Sequence, residues 1–557
     1  MDRTLTIEEA ATRLGVSVAT ARRMAATGRI PARKSGKQWV VDGTRLAQRQ
    51  TRRRVLSKPV VDLDRALEHV QRKDLAELWV PDVLRHADVL ADPGAVLAAA
   101  RSRYEGTPPG AAVEVEVDKT AVFTRWATLL DVEDRVAYQA AIASFADRVE
   151  AQTRDSIFSA RLSPDPRYFF KHGTHQWVAW RKFVLAQIIS GQEWIVKTDL
   201  TAYFDTIPHN LLMAEIETLN VDRTVAATLA EMLRTWAAVD GVGLPQGPNA
   251  SRLLGNLYII PVDRAMLDAG WNYSRYFDDV RIVTSTKGQA VEAVRRFQKE
   301  CRDRGLIVSS GKTELLYGDE ARKTLEGEGD MAFADYLMNA NVSALARKQL
   351  KAILTKALKS DVRVDERRAK FSLWRLAQLR EGGVLGRVLR RLEDLAPVAS
   401  VVAAYLRPFI TRPRVVESLA AFLGDTARAH SPHLATWLFA AMLEHPGTLP
   451  AEWADQAARR VKDRNQPAFL RAVAAVVMAR GGRAADITWM KNDIQREHDP
   501  AVLRGYAVGL HWRRELDKGT QRRLISRSPR LATTVDYLQG RVVLPSLVYK
   551  ATHLRVV

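Results

Sequence analysis

The chain has 557 residues, 47% of them hydrophobic, enough for roughly two to four domains, each with a core of its own. Lys and Arg outnumber Asp and Glu by 84 to 64, a formal charge of +20, which favours a polyanionic partner over a neutral small molecule and by itself leaves nucleic acid, an anionic membrane or the ribosome open. Cys301 is the only cysteine, which excludes an internal disulfide, a Cys-rich zinc site and a Cys-based nuclease module. No apolar run approaches the roughly 20 residues of a membrane span, and Met1-Asp2-Arg3-Thr4-Leu5-Thr6 lacks the basic-then-apolar pattern of a signal peptide, so a cytoplasmic chain with no membrane partner is expected.

Residues 1–47 read as one small module. A helical pattern over 7–14 is followed by the turn Gly15-Val16-Ser17, and Ser17 is placed to cap a second helix over 18–26. A basic β-wing over 28–41 carries Arg33, Lys34, Lys37 and Trp39. The order of parts, with Leu5-Thr6, Ala10-Ala11, Leu14-Gly15-Val16-Ser17 and Gly28-Arg29-Ile30-Pro31 in place, resembles the excisionase and MerR-type helix-turn-helix. That resemblance implies a second helix that docks in a groove of double-stranded DNA, with Arg22, Arg23, Lys34 and Lys37 as candidate contacts; such modules also serve as protein-docking folds. Residues 48–59, with Arg52-Arg53-Arg54, read as a basic linker.

From 60 to 342 helices mix with short alternating strands. Residues 113–119 and 123–130 alternate as two strands, and 193–198 form a buried strand that delivers Asp199 at its end, before a turn towards a helix at Pro208. Gly243-Leu244-Pro245-Gln246-Gly247-Pro248 is a tight turn feeding another helix; Gly247 allows close approach of a base or sugar, and Gln246 offers an amide. Alternation over 272–284 predicts a hairpin with Asp278-Asp279 at its tip, a pairing of like charges that calls for a cation. From 343 to 557 the pattern is helical, with segments of roughly 10 to 16 residues between breaks at Gly382-Gly383, 411–413, Pro432, Pro450, Pro467, Gly481-Gly482 and Pro500. This spacing resembles HEAT-like helical pairs; an irregular helical domain is the alternative.

Asp199, Asp278 and Asp279 together suit two-metal nucleotidyl transfer. Joining a 3′-hydroxyl to an α-phosphate uses two cations about 4 Å apart, and hard divalent cations prefer carboxylate oxygens.

An acidic strand, a Pro-Gln-Gly turn, Tyr276-Phe277-Asp278-Asp279 and Gly305-Leu306 with Lys312-Thr313 follow one another in an order that resembles motifs A to D of the reverse transcriptase palm. The resemblance covers about residues 110 to 318. It implies right-hand polymerase fingers and palm with an antiparallel sheet; with the helix-turn-helix head and an all-α tail in place of a thumb, a multidomain α+β protein is expected. The resemblance also implies an RNA template, a DNA product and Mg²⁺, or Mn²⁺, as the working metal. By match, Asp199, the carbonyl of Leu200, Asp278 and Asp279 hold metal, and Lys312 stands near the leaving pyrophosphate as acid or charge stabiliser. Phe204 takes the place of the aromatic gate that excludes a 2′-hydroxyl. Lys119 and Arg125 match the pair that grips the triphosphate, with Asp118 where Pro is usual, and Phe158-Ser159-Ala160-Arg161 resembles the next fingers element, with Arg161 a candidate for template or incoming base.

Ser251 followed by Arg252 and Gly247 followed by Pro248 look like the abortive-infection and unknown-group bacterial enzymes, whose implied role is defence against phage. Retron and group II intron enzymes are the alternatives within the family, and a DNA-binding regulator using the palm as scaffold is the alternative outside it. The sequence leaves template, primer and a homo-oligomer open.

Overall fold

The computed structural model describes residues 4–14, 17–26, 30–36, 38–43, 61–76, 79–120, 122–189, 191, 193–326, 329–339, 342–359, 364–540 and 544–548. Gly15-Val16, Gly28-Arg29, Lys37 and the basic linker lie outside them. The chain divides into two compact units, Met1–Asp62 and Leu63–Val557.

In the first unit, strand β1 (Thr4–Thr6) leads into a helix over Ile7–Leu14; a second helix spans Val18–Ala26, and β2 (Ala32–Ser35) and β3 (Gln38–Asp42) form the wing. The first helix begins where it does because Thr6 and Glu9 cap each other: the Thr6 amide donates to Glu9 at 2.8 Å and the Glu9 amide to the Thr6 hydroxyl at 3.2 Å. Ser17 caps the second through the Thr20 amide. β1 was not anticipated; it pairs antiparallel with β3, giving the order β1-β3-β2. Leu5, Ile7, Ala10, Ala11, Ala21, Ala25, Ile30 and Val41 make the core, their small side chains letting the two helices pack closely on the sheet. Arg22 and Arg23 are exposed, and Arg22 pairs with Glu8 at 3.4 Å.

In the second unit, β4 (Val113–Asp118) and β5 (Thr124–Leu129) form a two-stranded hairpin. The central sheet is antiparallel, with β6 (Trp194–Thr201), β7 (Asn272–Tyr276), β8 (Asp279–Thr284) and β10 (Glu314–Tyr317) in the order β10-β6-β8-β7. β9 (Ile307–Val308) pairs with the end of β6. The sheet face carrying Ile195 and Val283 packs on the helix Gly173–Ile189 through Trp180, Val184 and Ile188. The helix Asn249–Asp268, buried along most of its length, crosses the same region.

The remainder is helical. Helices over Glu366–Gln378, Ala399–Leu406, Pro432–Met442, Ala468–Gly481, Pro500–Trp512 and Leu531–Gln539 each pack on the next, while Leu385–Arg390, Pro413–Gly424 and Ala451–Lys462 line up beside them. Alternate helices therefore occupy separate layers. Gly505 lets two of these helices approach closely: a β-carbon there would stand 2.4 Å from the Ala472 carbonyl. No helix among the described residues is long and apolar enough to cross a membrane.

Candidate active site

Asp199 lies inside a strand rather than at its end. β6 continues two residues past Asp199 because Leu200 and Thr201 pair with Val308 and Ile307. On the other edge Asp199 pairs with Asp279, and the Leu200 amide donates to the Asp278 carbonyl at 3.2 Å. The hairpin tip is Phe277-Asp278, with Tyr276 and Asp279 paired across it, so Asp279 is already strand.

That two-residue turn is strained. Phe277 has φ +54°, a conformation costly for an aromatic residue and normally taken by glycine in such turns. Three groups hold it. The Phe277 amide donates to the Ser159 hydroxyl at 2.8 Å, Ser159 is tied to Asn256, and the Arg275 guanidinium lies behind the turn. Arg275 is fully buried, makes a two-pronged pair with Asp263 at 2.7 Å and donates to Asn256 at 2.7 Å; Tyr273 also donates to Asp263. Burial disfavours the charge on Arg275, but the Asp263 carboxylate outweighs it and raises the guanidinium above its ordinary value.

The three carboxylates repel one another. Burial, with the charges of Asp199 and Asp279 beside it, pushes Asp278 up to about 7, and burial also raises Asp279, opposed by Arg281. Lys312, on the short turn Ser310–Lys312, places its ammonium 2.5 Å from Asp199, so the structure brings this lysine onto a carboxylate. Among the described residues no three His, Cys, Asp or Glu side chains are gathered into a ready-made metal cage. The donor set nonetheless fits Mg²⁺, which keeps much of its water shell and binds through one or two carboxylates plus substrate phosphates. A cation would relieve the repulsion that raises Asp278.

Phe204 begins a short helical turn, Phe204–Thr206, with its ring 3.2 Å from where a β-carbon on Gly255 would stand. Its carbonyl accepts from the Leu244 amide, and Gln246 donates to Asp205 at 2.5 Å, so the turn beside Asp199 and the Pro-Gln-Gly turn are fastened together. Tyr203 is buried and donates to the Gly255 carbonyl, which makes it packing and leaves Phe204 as the more exposed ring. Gly247 has φ +141°, and the space its β-carbon would need is filled by Trp79 at 2.9 Å and the Thr128 carbonyl. The close approach that this glycine permits is thus made by the protein's own indole.

The β4–β5 hairpin is held over this turn. Thr128 and Gln246 exchange hydrogen bonds, and Arg125 stacks on Trp79 at 5.5 Å, while Lys119 is exposed. Asp118, where Pro was the expected residue, accepts from Ser431 at 2.5 Å and contacts His433 at 3.2 Å; His433 and Trp437 also reach the Trp79 carbonyl. The departure from the motif thus fastens the hairpin to the helix Pro432–Met442. Burial opposes ionisation of Asp118, but the bonds from His433 and Ser431 outweigh it and lower its pKa. Asp118→Ala should destabilise the chain by about 1 to 3 kcal/mol, read as a lower urea midpoint at pH 7. With the folded value below the unfolded one, this contribution is complete above about pH 4 and is lost as pH falls further.

Sequence reading missed Asp74, whose carboxylate accepts from the Asn249 amide at 2.6 Å and from Arg135 at 2.8 Å, anchoring the start of the helix Asn249–Asp268. It also missed Arg275 and Asp263; Asn256 and Asp263, two turns apart on one helix face, were the available signal. Arg161 does not point to a ligand: its guanidinium is engaged by Glu150 and the carbonyls of Arg154 and Ile157.

Residues 144–354 match the family model for reverse transcriptase (RNA-dependent DNA polymerase), and residues 4–54 that of a helix-turn-helix domain. The chain thus carries both domains; the first match takes in the three carboxylates and Lys312 but not the β4–β5 hairpin. It is 27% identical over 121 residues to the putative COX1/OXI3 intron 1 protein of Saccharomyces cerevisiae, covering 20% of this chain and 14% of that protein. It is 30% identical over 162 residues to protein YkfC of Escherichia coli, covering 22% of this chain and 41% of that one. The chain therefore spans less than half the length of either relative. Apo telomerase from Candida tropicalis aligns with 38% of this chain and 51% of its own at 12% identity and a TM-score of 0.27.

Proposed function

We propose that this chain is an RNA-directed DNA polymerase that adds deoxynucleotides to a growing 3′ end. The observation that carries the reading is the pairing of Asp199 with Asp279 beside a strained, heavily supported turn that presents Asp278. Strain persists where the surrounding structure over-determines it, and here three separate elements do so. In this reading Asp199, the Leu200 carbonyl and Asp278 hold Mg²⁺ or Mn²⁺, and Asp279 supports them. The bound cations would lower the pKa of the attacking hydroxyl and stabilise charge on the leaving oxygens. Lys312 then leaves Asp199 and serves the pyrophosphate as proton donor or fixed charge. Lys119 and Arg125 grip the triphosphate; Gln246 borders the nucleotide, and Gly247 acts by admitting Trp79 behind that turn.

Phe204 lies against Gly255, where its ring would meet a 2′-hydroxyl. Phe204→Ala should reduce discrimination against ribonucleotides by about 100-fold, measured as the ratio of kcat/KM for a deoxynucleotide and its ribonucleotide. Unchanged discrimination would remove the gate.

The same reading assigns 1–47 to a helix-turn-helix that contacts double-stranded DNA through Arg22, Arg23 and Lys34, 48–59 to a linker, 60–342 to fingers and palm, and 343–557 to a HEAT-like domain in place of a thumb. The layered helices support the last assignment. The resemblance of Ser251-Arg252, Gly247-Pro248 and the helical tail to the abortive-infection enzymes supports a role in phage defence. Phage challenge of cells carrying wild-type protein or Asp278→Asn tests it, and equal plaque counts would refute it.

A further inference from the structure

The helical region contains a cavity of about 530 Å³ into which Lys351, Arg387, Arg390, Arg412 and Arg414 converge from three different helices and the loops between them. Glu381 contacts Lys351 at 4.0 Å and is also engaged by Arg347 at 3.5 Å and by the Gly383 amide at 2.7 Å. All four arginines are exposed, and among the described residues neither Arg390 nor Arg414 has a carboxylate partner. Five like charges gathered in one cavity make a positive field that favours an anion there.

The floor is built for guanidinium groups rather than for a hydrophobic guest. A β-carbon on Gly386 would stand 2.6 Å from the Arg414 guanidinium, and one on Gly382 would stand 2.9 Å from that of Arg412. The glycines therefore let two guanidinium planes lie against backbone. Arg412 stacks on Phe409, at 4.6 Å, and Arg387 donates to Thr355. The groups are thus oriented as well as charged, which suits planar, two-pronged capture of phosphate oxygens. The lining has no exposed aromatic ring for a base to stack on, and its one side-chain hydroxyl, Thr355, is already engaged. Such a site reads phosphate and not base.

We propose that this cavity binds the phosphodiester backbone of a single nucleic-acid strand, without sequence preference, at a place separate from the carboxylates. The proposal rests on the polymerase reading for the identity of the anion. The double variant Arg390→Gln/Arg414→Gln removes two exposed cations and keeps a polar side chain at each position. Fluorescence anisotropy with a labelled, mixed-sequence oligodeoxynucleotide of about 20 nucleotides, in the absence of nucleoside triphosphates, reads binding alone. Affinity near 0.15 M salt should fall about tenfold, and the slope of log K against log salt should shrink by about 0.7 for each lost contact. Arg390→Lys/Arg414→Lys, which keeps the charge, should keep the slope. Unchanged affinity and slope in the Gln variant would overturn the site. So would displacement of the oligonucleotide by an equimolar concentration of inorganic tripolyphosphate, which would make the cavity a free-polyphosphate site. Nucleotide incorporation by the wild-type protein is a separate measurement, so a failed polymerase and a failed groove give different results.

Discussion

Asp278→Asn should lower deoxynucleotide incorporation by at least about 10³-fold while leaving the fold intact. The side chain stays the same size on the two-residue turn, and the Leu200–Asp278 backbone contact does not involve it. What is lost is a negative charge at the centre of a group of three, where burial and Asp199 already make ionisation costly. Relieving that repulsion should leave the melting temperature unchanged or slightly higher, whereas cation affinity should fall. A loss of activity of this size together with preserved stability separates a site that stabilises charge in the transition state from a merely structural acid. Incorporation within tenfold of wild type would remove Asp278 from the chemistry.

Arg275→Met should be the most destabilising single change near the site, by about 3 to 5 kcal/mol, because it leaves the Asp263 carboxylate buried without its counter-charge. Arg275 also bonds Asn256 and reaches the Phe277 carbonyl, so the turn carrying Asp278 should lose its support as well. The double variant Arg275→Met/Asp263→Asn should recover part of the stability, since the uncompensated charge is gone. Incorporation should stay low in both. Denaturant unfolding and incorporation assays on the two single variants and the double give the coupling directly. Additive losses in stability would mean that the pair is not coupled.

How much of this could be seen in the sequence depends on how local each determinant is. The two helices of the first unit coincide with their expected bounds because Thr6, Glu9 and Ser17 are capping residues adjacent to the segments they start. In the helical region Pro413, Pro432 and Pro500 open helices at the first turn, where a missing amide is not needed, so the breaks were visible. The layering of those helices was not, since it depends on which faces meet. The carboxylates were legible as motifs, but the strand carrying Asp199 was drawn short: its last pairs are with Ile307 and Val308, more than a hundred residues away. Asp74 acts on an amide 175 residues distant, and Ser159 on one 118 residues distant, with no local periodicity to mark either. Asp118 looked like a defect in a motif. Its purpose is visible only once Ser431 and His433, over three hundred residues later, are beside it.

Template-directed DNA synthesis at Asp199, Asp278 and Asp279 is read by incubating the purified chain with a homopolymeric riboadenylate template, a short deoxythymidylate primer, Mg²⁺ or Mn²⁺ and each labelled deoxynucleotide in turn. Thymidylate should be incorporated far above the other three deoxynucleotides, and Asp278→Asn should incorporate none under the same conditions. Extension by ribonucleotides alone, or equal extension by wild type and Asp278→Asn, would rule out DNA synthesis at these carboxylates.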